Sequence, residues 1–158
     1  MRPIVFLDID DVICLNTPYG GHHLTHSPRP LDLFQRLWSP EAVRVLSKVI
    51  EDHDPLFVIT SSWMRLIDDA SFDPLFRSTG LPSLADRLHT KTTAPQAFGQ
   101  SRAAAIDAWL TANGQSTHVI LDDHESGTGL AGRPEAILCE VGVGLQEHHR
   151  HAIRSILT

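Results

Sequence analysis

Phe6-Leu7-Asp8-Ile9-Asp10-Asp11-Val12 is the stretch whose reading decides the fold. It closes a short apolar, partly β-branched run from Pro3 to Ile9 that ends in acids, which reads as a buried strand of a parallel sheet. Two further runs repeat the pattern. Pro55 to Thr60, with Leu56-Phe57-Val58-Ile59 at its centre, ends in the small hydroxyls Thr60, Ser61 and Ser62; Thr117 to Leu121 closes in Asp122-Asp123. A Gly-rich loop from Ser126 to Gly132 leads to another strand at about Ala136 to Val141.

Helical signals lie between these strands. Ser39-Pro40-Glu41 supplies an N-cap, a proline at the first helical position and an early acid, ahead of Ala42, Val43, Val45, Leu46, Val49 and Ile50. Ser101 caps a second helix, with Ala105, Ile106, Trp109 and Leu110 at helical spacing and Gly114 placed to end it. A last helix is expected over Leu145 to Leu157, with Ile153, Ile156 and Leu157 inward. Strands alternating with helices predict an α/β doubly wound parallel sheet, a Rossmann-like core with right-handed crossovers.

Two stretches resist this pattern. Residues 14–38 carry Pro18, Gly20, Gly21, Pro28 and Pro30, which exclude a long regular element and suggest a flap inserted after the first strand. From Ala70 to Gln100 the signals are broken, with a short helix near Asp73 to Ser78, a short strand near Arg87 to Thr90, and Trp63 to Asp69 reading as helical.

With 158 residues, 42% of them hydrophobic and 20% charged, the chain fits one globular domain over 1–158 with its own core. The formal charge of −6 leaves no broad basic face, so tight non-specific binding of nucleic acid or anionic lipid is not expected. Cys14 and Cys139 lie far apart without Cys-x-x-Cys spacing, which suits ordinary reduced thiols and a cytoplasmic location. The first apolar run is too short for a signal peptide or a membrane span. Of the histidines, His22, His23 and His26 fall in the flap and read as solvent-facing, with a substrate phosphate or base as the functional alternative. His148, His149 and His151 read as a polar helix face.

In open parallel sheets ligands sit outside the carboxyl ends of the strands, so Asp8 and Asp10, Thr60 and Ser61, and Asp122 and Asp123 should converge on one crevice. Carboxylates crowded there repel one another unless a cation is present. Hard oxygen donors with no cysteine or histidine beside them suit Mg²⁺.

At these residues the sequence resembles the haloacid dehalogenase (HAD) superfamily of phosphohydrolases. The resemblance rests on the first motif quoted above, on Phe57-Val58-Ile59-Thr60-Ser61, on a basic residue before the Ser101 helix, and on Val119-Ile120-Leu121-Asp122-Asp123. It implies that Asp8 is the nucleophile that forms an aspartyl-phosphate and that Asp10 is the general acid, then base. It implies a Mg²⁺ held by the Asp8 carboxylate, the backbone carbonyl of Asp10 and either Asp122 or Asp123. The phosphate-binding hydroxyl falls on Thr60 or Ser61, with Ser61 favoured because a hydroxyl two residues before Trp63 resembles the pattern of small phosphatases. The basic residue of the third motif is Lys91 or Arg102, and Arg65 is a weaker candidate for phosphate contact.

Neither the 14–38 stretch nor the 63–100 stretch can hold a full cap domain. The resemblance is therefore to capless members, which act on large or exposed phosphates or borrow a lid from a neighbouring subunit, so an oligomer is allowed. The Ser61-Ser62-Trp63 pattern and the compact size are similar to phosphatase-like domains associated with RNA repair. The expected partner is a phosphorylated substrate, small or carried on a macromolecule, and no membrane. Two other readings compete: a catalytically silent binding module on the same fold, and a phospho-accepting receiver domain. The receiver order places its phospho-acceptor on a middle strand, where this chain has hydroxyls.

Overall fold

The computed structural model describes residues 1–114, 116–124 and 127–158, so Ser126, the first residue of the Gly-rich loop, lies outside the described residues. Strands β1 (Ile4–Leu7), β2 (Leu56–Ile59), β3 (Leu88–Thr93), β4 (His118–Asp123) and β5 (Ala136–Cys139) form one all-parallel sheet in the order β3-β2-β1-β4-β5. β1 is central, with Leu7 in register with Ile59 on one side and Leu121 on the other. Chain order reverses direction across the sheet at β1, which opens the crevice expected of a doubly wound fold beyond the ends of β1 and β4.

Both faces of β1 are buried, and alternation assigns its side chains to two layers. Val5 and Leu7 pack in one apolar cluster with α1 (His22–Thr25), α2 (Leu33–Arg36), α3 (Pro40–His53), α4 (Phe72–Ser78), α5 (Pro82–Ala85) and α7 (His149–Leu157). Ile4 and Phe6 pack in the other, against Ala103, Ile106, Trp109 and Leu110 of α6 (Arg102–Asn113). Phe6 meets Trp109 edge-on, with ring centroids 5.4 Å apart. This double coverage is why β1 reads as an apolar run rather than as an alternating strand.

The α3 start is built as its sequence dictates: Ser39 Oγ accepts from the Ala42 amide at 3.3 Å and Pro40 opens the helix. Ser39→Ala should lower stability by about 1 kcal/mol, and the melting temperature by roughly 2–4 °C. No change in melting temperature would show that the cap contributes nothing here.

Elsewhere boundaries shift. The expected helix over Trp63 to Asp69 is two short 3-10 turns, Ser62–Arg65 and Asp69–Ser71. The weak strand near Arg87 to Thr90 runs on to Thr93, and the last helix starts at His149, after a turn. Residues 14–38 hold two one-turn helices and send Leu24, Leu33, Leu37 and Trp38 into the core. Of this stretch only Asn16 lines the crevice among the described residues. No described helix is long and apolar enough to cross a membrane.

Candidate active site

The chain turns immediately after β1. The Ile9 carbonyl accepts from the amides of Val12, Ile13 and Cys14 at 3.2, 3.0 and 2.9 Å. Asp11 takes a left-handed conformation, φ 59°, which a short polar side chain tolerates better than most. Its carboxylate accepts from the Gly142 amide at 3.0 Å. The strand ends at this turn, and Asp8, Asp10 and Asp11 all line one crevice of about 760 Å³.

On the neighbouring strand Asp122 and Asp123 end β4. Asp8, Asp122 and Asp123 are all buried, and each offers an oxygen within 4.8 Å of the others. Arg102, in the first turn of α6, reaches into this trio: its Nη1 lies 3.3 Å from Asp8 Oδ2 and 3.0 Å from Asp122 Oδ2. Ser101 Oγ caps that turn by accepting from the Ala104 amide at 3.1 Å, which fixes where Arg102 starts. Burial first, and then the Asp122 charge, raise the Asp8 carboxyl well above the usual carboxylate range, against the pull of Arg102. Burial opposes the charge of Arg102, but Asp8 and Asp122 outweigh it and hold the guanidinium protonated.

The hydroxyl strand contributes unevenly. Ser61 lines the crevice and its Oγ accepts from the Trp63 amide at 3.1 Å. Thr60 is buried, does not line the crevice, and its Oγ1 has no partner among the described residues. Lys91 is exposed on β3, an edge strand, and is not part of the crevice lining, whereas exposed Arg65 is. His22, His23 and His26 are not among the lining residues either; their rings meet one another and Tyr19 edge-on or tilted.

A family described as the HAD domain in Swiss Army Knife RNA repair proteins matches residues 4–150. The chain belongs to this haloacid dehalogenase family. No curated protein and no solved structure matches it.

The donor set of this HAD domain fits the divalent cation that the family implies. Three buried carboxylates face one guanidinium, leaving excess negative charge in a site that disfavours it. Cys139 is not in this donor group, and burial with the charges of Asp122, Asp123 and Asp8 pushes its thiol up to about 12; the clustered donors are all carboxylate oxygens. The Asp10 carboxylate lies outside the trio. Its Oδ1 accepts from the indole N–H of Trp63 at 2.9 Å and its Oδ2 from Ser62 Oγ at 3.4 Å.

Sequence reasoning missed that indole contact, since a tryptophan after a strand reads as core. It also missed Thr93, which lines the crevice and donates to Asp69 Oδ2 at 2.9 Å. Thr93 obeys the strand-end rule, but Leu88-His89-Thr90-Lys91-Thr92-Thr93 is too polar an edge strand to show where it ends.

Proposed function

We propose that this HAD domain is a Mg²⁺-dependent phosphomonoesterase working through an aspartyl-phosphate on Asp8. The observation that carries the reading is the position of Asp8: buried at the crevice floor, 3.3 Å from Arg102 Nη1, and grouped with Asp122 and Asp123. An Asp8 oxygen attacks phosphorus while the bond to the ester oxygen breaks, and Asp10 gives its proton to the departing alkoxide. Asp10 then takes a proton from water as that water attacks the acyl phosphate, which releases inorganic phosphate and restores Asp8. Ser61 Oγ uses a lone pair on the Trp63 amide and keeps its hydrogen for a phosphoryl oxygen. Mg²⁺ held by Asp8 with Asp122 or Asp123 supplies the charge neutralisation that lets an anionic nucleophile meet an anionic phosphate.

The cation of the third motif is Arg102, on the strength of its contacts, and not Lys91. Arg102→Ala should cost about 10²–10³-fold in kcat, as for loss of one buried donor to the transition state, with Arg102→Lys recovering part. Lys91→Met should stay within about twofold of the parent, a margin of roughly 0.4 kcal/mol. Equal losses in the two would overturn the assignment.

The substrate class proposed is an exposed terminal phosphate on RNA. Among the described residues no inserted domain lines the crevice, and the family is described as the HAD domain in RNA repair proteins. The acidic chain has little to hold the rest of the strand, so the phosphate end itself would dominate recognition. The test ranks kcat/KM with Mg²⁺ over 3′- and 5′-phosphorylated oligonucleotides, nucleotides, sugar phosphates, phosphopeptides and an aryl phosphate. Phosphorylated oligonucleotides are expected to lead. Inertness on every member would overturn the phosphatase reading and favour a silent binding module.

A further inference from the structure

We propose that Trp63 is a positioning residue for Asp10, held in place by the segment that follows β1; this rests on the phosphatase reading above. The indole is almost completely buried, at 1% exposure, and its Nε1 donates to Oδ1 of crevice-lining Asp10 at 2.9 Å. An indole N–H is a donor only, so it cannot take up or relay the proton that Asp10 moves. It can fix how the carboxyl group is turned: with Oδ1 held by the indole, Oδ2 is the oxygen beside exposed Ser62 in the crevice lining.

Two close neighbours hold the ring. Trp38 stacks on it with centroids 5.5 Å apart and planes 30° apart. Gly21 also comes close: a Cβ added there would lie 2.8 Å from Trp63 Cε2 and 3.0 Å from Nε1. Both Trp38 and Gly21 belong to the segment between β1 and α3. The insertion therefore acts on the chemistry from behind: it wedges the tryptophan that aims the acid.

The test separates aiming from folding by leaving group. An aryl phosphate that releases a stable phenolate needs little protonation, whereas an alkyl phosphate needs a proton from Asp10. The value of kcat/KM reports the steps up to formation of the aspartyl-phosphate, before water enters. Trp63→Phe keeps the ring and removes the N–H. It should lower kcat/KM about tenfold on an alkyl phosphate and less than about twofold on the aryl phosphate, the scale of one charged hydrogen bond. Gly21→Ala, which keeps the N–H but displaces the ring, should shift the same ratio in the same direction. Equal losses on both substrates, or no loss on either, would overturn the proposal.

A second measurement is independent of turnover. The indole N–H resonance of Trp63, assigned by its absence in Trp63→Phe, should move upfield in Asp10→Ala, where the acceptor is gone. An unmoved resonance would show that the contact is absent. A parent protein inert on both substrates overturns the phosphatase reading and, with it, the catalytic meaning of the contact, while the resonance still decides whether the contact exists.

Discussion

Asp8→Asn is expected to abolish turnover, lowering kcat by roughly 10⁴-fold or more, because an amide oxygen is no nucleophile toward phosphorus and no alternative carboxylate has the same approach. The substitution is isosteric and keeps the acceptor for the Ile9 amide, which Asp8 Oδ1 now receives at 2.8 Å. It also removes one of three crowded negative charges, so the metal-free fold should not weaken. The sign follows from the raised Asp8 carboxyl. Between the ordinary carboxylate range and that raised value, the native state holds a proton that the unfolded chain has released. Metal-free stability of the parent therefore falls as pH rises through this window. In Asp8→Asn that contribution is gone, so its melting temperature should gain on the parent's as pH rises from about 4 toward neutrality, the span above the ordinary aspartate value. Melting curves in chelator at several pH values, read beside the assay, separate lost chemistry from lost structure. Residual activity near that of the parent would sink the covalent scheme.

Much of this arrangement was legible because it rests on local rules. β1, β2 and β4 are buried on both faces, so each appears as an apolar run, and each ends in the side chains that line or floor the crevice. Ser39 and Ser101 announce the helices behind them through cap chemistry that acts over three residues. Contacts set by tertiary packing were not legible. Trp63 is a core residue by every composition rule, and its polar edge meets Asp10 only because Trp38 and Gly21, more than twenty residues upstream, fix the ring. The segment after β1 reads as a flap because it is rich in proline and glycine. Its leucines and Trp38 turn it inward, into the apolar cluster that also holds Phe72, Leu75 and Phe76 of α4 and Leu84 and Ala85 of α5. Lys91 and Arg102 were both open for the third motif because residue type alone cannot tell an edge strand's exposed face from a capped helix start. The end of β3, and with it Thr93, stayed hidden for the same lack of an apolar signal.

Mg²⁺ should stabilise the parent protein, and the acidic trio should be where it does so. At a free concentration about a hundredfold above its dissociation constant, a ligand that binds only the native state adds about 2.7 kcal/mol, which for a chain of this length raises the melting temperature by roughly 5–10 °C. The gain should grow as pH rises, because below the raised Asp8 value the cation must displace a proton from that carboxyl before it can bind. Asp122→Asn and Asp123→Asn should each reduce the Mg²⁺-induced rise to a small fraction of the parent's, since each takes one negative oxygen from a trio whose donors all lie within 4.8 Å of one another. The larger reduction identifies the residue that binds the ion directly. Asp10→Asn should keep most of the rise, because its carboxylate is engaged by Trp63 and Ser62 outside the trio, and should lose turnover instead. A rise that persists undiminished in both Asp122→Asn and Asp123→Asn would place the cation elsewhere, and Asp8 would then have no neutralised phosphate to attack.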